Sequence, residues 1–358
     1  MAASFLEDCK EKDENEYHVV LGAAFSKSIK QDQFGSNFFF YPITYRPATK
    51  VFSLQSHDKF FKDLEKKIKP DVVFTTTGPA YWRPKAPHLV GYNLPHHVYP
   101  ESPYLKQVTL YRKMRWKIKR VLVKYFFTRD ADAIVVQTDD VKERLIKLLG
   151  KANVVTVSNT YSPFYNNPVV FLARLPAKQA DEFRLLTLSA WYPHKNLTII
   201  PKVVDMLLEK GIKNVRFILT LPKEIFDKEF PEKYAAYIIN TGPVKVAEAP
   251  SLYNECDAMF LPTLLECFSA SYAEAMVMGK PILTTDMGFA KTVCGNAAIY
   301  FNPVDGKDIA AKILLVMNDK QLQADLINKG KKRMGYFGTS KQRTEEYLSI
   351  CKDLCNKK

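Results

Sequence analysis

The stretch of this chain best equipped for chemistry is 261–286, LPTLLECFSASYAEAMVMGKPILTTD. The apolar run DAMFLP predicts a strand that ends at Pro262, and a short loop carrying Glu266 follows it. A helix is expected to start near Ser269 and to stop at Gly279, before the next strand, PILTT. Glu266 and Glu274 lie eight positions apart, so one carboxylate sits in the loop and the other about two turns into the helix. Between them the backbone N–H groups of Phe268, Ser269 and Ala270 open at a helix N-terminus, where an anion binds favourably. A loop carboxylate, an anion-binding helix end and a second carboxylate at nucleotide distance suit a sugar–diphosphate–ribose ligand.

A second constellation is LLTLSAWYPHKNLTII, 185–200. A strand runs into a loop with His194, Lys195 and Asn196 before another helical pattern. Lys195 in a strand-to-helix turn can meet a diphosphate as a point charge, and Asn196 is expected to cap the helix. Tyr253, in SLYNECDAMF, fits core packing as well as it fits a site.

Elements to hold these residues alternate along the chain, which is the signature of parallel α/β layers. The first half offers YHVVLG (from Tyr17), DVVFTTT (from Asp71), HLVGYN (from His88), AIVVQT (from Ala133) and NVVTVS (from Asn153). The second offers FRLLTLS (from Phe183), VRFILTL (from Val215), YIINT (from Tyr237), DAMFLP (from Asp257), KPILTT (from Lys280) and AIYF (from Ala298). Helical periodicity marks 139–149, 195–211, 270–279 and 305–334. The pattern lapses between 158 and 181, which predicts a connection between domains at 1–160 and 181–335. A separate amphipathic helix at 336–358 is expected to pack back on the first of these.

The chain opens in a helical pattern, 2–12, instead of the strand and glycine-rich turn that start a doubly wound domain. We read the N-terminal domain as lacking its first strand, by truncation or as a natural variant with a shorter sheet.

With 358 residues, 47% hydrophobic and 25% charged, the composition is that of ordinary globular domains. No run approaches the roughly 18 apolar residues of a membrane span, and the N-terminus lacks a basic-then-apolar leader. Six scattered cysteines without a CxxC pair read as reduced thiols in a cytoplasmic protein, and zinc is not expected. A formal net charge of +14 favours anionic partners: nucleotide diphosphates, nucleic acid or an anionic membrane face.

The segment from Glu266 to Glu274 resembles the E-x7-E motif of the retaining family 4 (group 1) glycosyltransferases, which have the GT-B fold. The similarity extends through LPT, the EAM helix, GKPILTTD and GNAAIYFNPVDGKDIA. The resemblance implies two facing Rossmann-like domains with a cleft between them, the nucleotide-sugar donor in the C-terminal one and a glycan or polyprenyl-linked acceptor approaching from the N-terminal one. It implies transfer with retention, no cofactor and no metal. Carried over, Glu274 binds the ribose hydroxyls, Glu266 contacts the transferred sugar and Lys195 grips the diphosphate. Cys267 and Ser269 stand where the family usually has glycine, and Ser189-Ala190 where it usually has Gly-Arg.

In the N-terminal half, Gly78 ends one predicted strand and His96-His97 follow another, and loops at the carboxyl ends of parallel strands are where ligands bind. The resemblance implies a histidine near the transferred sugar, which we assign to His97, with Gly78, Tyr81, Arg83 and Tyr99 as acceptor-side candidates. The triplet Asp130-Ala131-Asp132 mimics a DxD metal motif. It precedes the strand AIVVQT, at the wrong end for the site, and reads as turn chemistry. No GxGxxG follows any predicted strand, which excludes a nicotinamide fingerprint.

Residues 104–127, YLKQVTLYRKMRWKIKRVLVKYFF, predict a basic helix. Tyr111, Met114, Ile118, Val121, Leu122 and Tyr125 recur at helical spacing and are expected to face the core. Lys106, Arg112, Lys113, Arg115, Lys119, Arg120 and Lys124 are left for the outer faces, as a solvated surface or a peripheral contact with an anionic membrane. Nucleic acid is not expected, since no recognition motif accompanies the charge. Two rival readings keep the same frame: a non-catalytic or truncated nucleotide-sugar-binding protein, and a sugar-nucleotide epimerase.

Overall fold

The computed structural model describes residues 2–27, 29–45, 51–150 and 153–357. Its first part runs α1 (Ala2–Cys9), β1 (Tyr17–Leu21), α2 (Ala23–Ser26), β2 (Phe38–Pro42), α3 (Val51–Ile68), β3 (Val73–Thr75) and β4 (His88–Gly91). Then come α4 (Pro95–Val98), α5 (Pro103–Gln107), α6 (Leu110–Asp130), β5 (Ala133–Val136), α7 (Asp139–Leu149) and β6 (Val154–Thr156). The second part runs β7 (Phe183–Thr187), α8 (Ile200–Glu209), β8 (Val215–Leu219), α9 (Lys223–Glu229), β9 (Ile238–Asn240), α10 (Ala249–Asn254) and β10 (Ala258–Leu261). It continues through α11 (Ala270–Val277), β11 (Ile282–Thr285), α12 (Gly288–Cys294), β12 (Ala298–Phe301), α13 (Gly306–Asn318), α14 (Lys320–Arg333) and α15 (Ser340–Cys355).

The chain divides into two compact units. Unit 1 comprises Met1–Val98, Leu110–Asn159 and Thr339–Lys358; unit 2 comprises Tyr99–Thr109 and Thr160–Gly338. The expected N-terminal domain, 1–160, is therefore interrupted: residues 99–109 leave it for the other unit.

In unit 1, β3-β4-β5-β6 form a parallel sheet in chain order, and β1 pairs β2 in a separate parallel ribbon. Strand β2, FFFYP, is absent from the expected set. Its four consecutive aromatic positions lack period-two alternation, and only pairing with β1 from Tyr17↔Phe38 onward makes it a strand. Phe5, Leu6 and Cys9 of α1 join Tyr347, Cys351 and Leu354 of α15 in a core that includes Leu89 and Val135. Polar contacts fix that helix pair: Thr344 Oγ1 donates to Asp8 (2.9 Å), and Arg343 reaches Ser4 and Asn159 (both 2.6 Å). A reciprocal cap between Thr339 and Gln342 starts α15.

In unit 2 the sheet order is β12-β11-β10-β7-β8-β9, all parallel. The first strand of the unit, β7, is central. The chain winds outward through β8 and β9 on one side, then returns to build β10, β11 and β12 on the other. Neighbours β7 and β10, in register at Leu185↔Ala258, flank the switch point where parallel sheets bind ligands. Apolar faces of α8 and α13 cover the sheet through Ile200, Val203, Val204, Leu207, Ile309 and Ile313, all buried. The helical run expected at 305–334 is two helices, because Asp319 leaves helical geometry to cap α14 at Leu322 N (2.8 Å). The connection expected at 158–181 is no free linker: Phe171 N donates to Ser251 Oγ, and Arg174 and Leu175 are held by Glu248 and Glu255, at either end of α10.

The predicted basic helix breaks after α5, and the break separates the units. Its apolar stripe is also turned the other way from expectation. Tyr111 (69% exposed), Met114 (58%), Ile118 (62%), Val121 (69%), Leu122 and Tyr125 face solvent, while Val123 and Phe127 are buried. Periodicity identifies an apolar face, but it does not say what that face meets.

Candidate active site

Because β7 and β10 are neighbours, the loops leaving their carboxyl ends meet although they lie some seventy positions apart in the chain. The β7 loop ends in a short 3₁₀ turn, Pro193–Lys195, followed by Asn196 in the left-handed region at φ +56°. Asparagine tolerates this conformation better than most residues. Asn196 does not cap the following helix as expected. Its Nδ2 instead donates to Pro303 O (2.8 Å), pinning the loop to the segment after β12.

Lys195 is thereby aimed at the β10 loop, where its Nζ pairs with Glu266 Oε1. Thr263 Oγ1 donates to the same carboxylate (3.0 Å), and Leu264 N donates to His194 O (2.7 Å), so backbone and side chains join the two loops. Both members of the ion pair are largely buried, with side chains 14% and 12% exposed. A charge-assisted contact in such surroundings is stronger than its solvated counterpart.

Ser269, extended at φ −115° and ψ 120°, takes the position before α11, and its side chain does not cap the helix. The first turn is braced from below: Tyr253, fully buried on α10, donates its hydroxyl to Ser271 O (3.3 Å). Tyr272 of the same helix bonds Thr284 on β11 (2.9 Å). Phe268 sets its ring edge-on to Phe337 (6.1 Å). Val277 is the last helical residue, Met278 caps it, and Gly279 follows at φ +62°, where a Cβ would be strained; Lys280 N then returns to Ala275 O (2.8 Å).

Glu274 lies in the second turn of α11. Burial pushes its carboxyl up to about 7, against a smaller opposing pull from Tyr165. The Tyr165 hydroxyl is itself buried and makes no hydrogen bond of ordinary geometry among the described residues. Its ring packs edge-on against Tyr253 (6.0 Å). Tyr165 escaped the sequence reading because it lies in the stretch where periodicity lapses.

Also missed was the segment 99–109. Ser102, fully buried, donates to Leu264 O (2.6 Å), two residues from Glu266, and caps α5 at Tyr104 N (3.2 Å). Tyr104 sets its ring edge-on to His194 (5.9 Å), and Tyr192 stacks on the same histidine (5.4 Å, 17°). No local signal marks 99–109 as part of this unit.

The other predicted residues fare differently. Tyr99 is fully buried in unit 2 with its ring against Phe289 (5.6 Å), so it is a core residue and no acceptor contact. Gly78 follows β3 as expected, but its requirement is steric. Its N donates to Gly91 O (2.7 Å), and an added Cβ would meet Val90 Cγ1 at 2.4 Å. Tyr81, left-handed at φ +59°, sets its half-buried ring edge-on to Phe126 (4.8 Å). Arg83 is placed wrongly by the expectation. By that point the chain has crossed back to the amino ends of the strands, where Arg83 pairs with Asp132 (2.7 Å). Asp132 also receives His88 N (2.9 Å) and Asp130 pairs with Arg129, so the DxD triplet is occupied at the end of the sheet away from strand carboxyl termini. His97 sits on α4 after β4, 4% exposed, and burial drives its pKa down to about 4, helped by His96 and the cations of α6.

All six cysteines are free thiols, five of them buried. Among the described residues no group of His, Cys, Asp or Glu is arranged to hold a metal ion, and no helix is long and apolar enough to cross a membrane.

Parallel-sheet Rossmann-like units of this kind match the fold of solved GT-B structures. The sucrose-phosphate synthase of Thermosynechococcus elongatus superposes with a TM-score of 0.71 at 14% identity, over 92% of this chain and 86% of that one. Anabaena HepE in complex with UDP and glucose superposes at 0.70, also 14% identical, over 98% and 95%. Residues 174–333 match the family described as glycosyl transferases group 1, so unit 2 carries a domain of that kind. The N,N'-diacetylbacillosaminyl-diphospho-undecaprenol alpha-1,3-N-acetylgalactosaminyltransferase of Campylobacter jejuni is 27% identical over 150 residues, 37% of this chain and 40% of that protein. The O-antigen chain mannosyltransferase RfbU of Salmonella typhimurium is 26% identical over 137 residues, 36% and 37% of the two chains. The chain thus spans less than half the length of either relative.

Proposed function

We propose that this chain is a retaining, metal-independent hexosyltransferase of family 4. It would move a sugar from a nucleotide-diphosphate donor to a glycan or lipid-linked acceptor. The carrying observation is the junction at the β7/β10 switch point, where Lys195, Thr263 and Glu266 meet beside the N-terminus of α11 and Glu274 lies in its second turn. On this reading Lys195 exchanges its bond to Glu266 for the donor diphosphate. Lys195 and the amides of Phe268, Ser269 and Ala270 then stabilise charge as the diphosphate departs. Glu266, freed of its cation, faces the transferred sugar, and Glu274 accepts hydrogen bonds from the ribose. No cofactor takes part. His97, kept neutral by burial, would donate one hydrogen bond towards the sugar.

The donor base and the acceptor follow from similarity alone. HepE was solved with UDP, and the two relatives are named for an undecaprenol-linked sugar and an O-antigen chain. Polysaccharide assembly in the cytoplasm, at the inner face of a membrane touched through 104–127, is the setting this supports.

A non-catalytic nucleotide-sugar-binding role is the second reading, and one observation favours it. Ser189-Ala190 leaves the β7 loop without the arginine implied by the resemblance. Ser189 spends its contacts locally, on Thr220 Oγ1 (3.3 Å) and Ala190 O (2.9 Å). Incubation with UDP- and GDP-sugars separates the two. A transferase releases nucleotide diphosphate slowly without acceptor and faster with it. A binding protein shows a thermal shift and releases none.

A further inference from the structure

The helix α6 (Leu110–Asp130) carries eight cations, Arg112, Lys113, Arg115, Lys117, Lys119, Arg120, Lys124 and Arg129, and a single carboxylate, Asp130, which is buried and paired with Arg129. At about 100° per residue its exposed apolar side chains fall in one arc roughly 120° wide, in the order Leu110, Val121, Met114, Tyr125, Ile118, Tyr111, Leu122. These seven are between 49% and 74% exposed. The side chains by which the helix rests on its own unit, Val123 and Phe127 with half-buried Trp116, centre on the opposite side, about 180° away. Arg115, Lys119 and Arg112 line one flank of the apolar arc; Lys117, Lys124, Lys113 and Arg120 line the other.

We propose that α6 is an interfacial helix that seats this chain on an anionic lipid bilayer. Its outward ridge would lie among the upper acyl chains and both cationic flanks on lipid phosphates. This deepens the membrane contact named above, and it stands on the exposure pattern of α6 and not on the transfer reaction. A helix that is merely solvated would have polar residues pointing straight away from the protein; here that direction is the most apolar one. The ridge, from Leu110 to Tyr125, is roughly 23 Å long, and a flat hydrocarbon boundary bordered by negative charge complements its whole length. A second copy of the chain is the poorer occupant, because pairing two such helices along their ridges aligns cations with cations. Nucleic acid complements the flanks but not the ridge.

The test is co-sedimentation of the full chain with vesicles of phosphatidylcholine containing phosphatidylglycerol, and with vesicles of phosphatidylcholine alone. Binding to the anionic vesicles and little to the neutral ones is expected. Ile118→Glu combined with Val121→Glu should weaken it by tenfold or more while the melting temperature is unchanged, since both side chains are exposed. Arg115→Ala and Lys119→Ala should each weaken it about fivefold. Equal binding to both vesicle types, or anionic binding untouched by the ridge variant, overturns the proposal. So does absence of vesicle binding, whether the chain then proves monomeric, self-associates through the ridge or binds an acidic protein instead. Nucleotide release from the donor reports on the transferase reading separately, so either reading can fail without the other.

Discussion

The two units treat their predicted functional residues in opposite ways. In unit 2, Lys195 and Glu266 come together from neighbouring strand ends, and the helix bearing Glu274 starts a few residues further on. In unit 1 two of the candidates go into structure: Gly78 into a backbone contact with no room for a side chain, and Arg83 into an ion pair at the far end of the sheet. A motif confined to one strand–loop–helix passage keeps its geometry wherever the passage is folded. Residues picked singly, for type and nearness to a strand end, depend on where each loop turns back.

The largest effect is expected of Glu266→Ala, which should cut the transfer rate by about 10²–10³-fold, as for loss of a group acting at the transition state. Initial rates of nucleotide release with acceptor present measure it. Full activity in that variant would move the chemistry out of unit 2. Next is Glu274→Ala, expected to weaken donor binding about 10- to 100-fold, the worth of a hydrogen bond to a charged group, while kcat changes less. Isothermal titration with the donor reads this directly. Because the Glu274 carboxyl is held near 7, donor affinity of the native chain should also rise between pH 6 and 8, and Glu274→Gln should flatten that profile.

Stability should respond to pH in opposite senses in the two units. Glu274 titrates above its unfolded value of 4.5, so the folded chain holds the proton more tightly. Stability from this group is complete below pH 4.5 and is lost as pH rises through 7. His88 and His97 titrate near 4, below the ordinary 6.5. Stability from them is present above 6.5 and lost as pH falls towards 4. For His88 the geometry is compatible: with Nδ1 donating to Asp130 O (2.7 Å), Nε2 of the neutral ring can accept from Thr75 Oγ1 (2.9 Å). Limited proteolysis at pH 5 should therefore nick unit 1 before unit 2, and Glu274→Gln should raise the melting temperature by a few degrees at pH 8 and little at pH 5. Cleavage of unit 2 first would reverse the assignment. Smallest is Arg83→Ala, which removes a half-exposed ion pair and should cost about 0–1 kcal/mol in thermal melts, with transfer unchanged.

Local pattern made much of this legible. Among the described residues, all six strands of unit 2 and five of the six in unit 1 could be read from apolar runs, and the spacing of Glu266, Ser269, Glu274 and Gly279 carried its own helix start and stop. Strand β2 is not legible, since its aromatic run has no alternation, and neither is the break within 305–334, because Asp319 as a cap looks like any polar residue on a helix surface.

What the sequence determined alone is the list of elements and the chemistry of the 261–286 passage, since hydrophobic period, turn residues and helix ends are local properties. Tertiary packing sets β7 beside β10, which brings Lys195 to Glu266, and it brings Ser102 and Tyr165 to the same site from distant segments. It also decided that the apolar stripe of α6 points outward. An amphipathic repeat specifies two faces of a helix, and which of them is buried depends on the neighbours that the rest of the chain supplies.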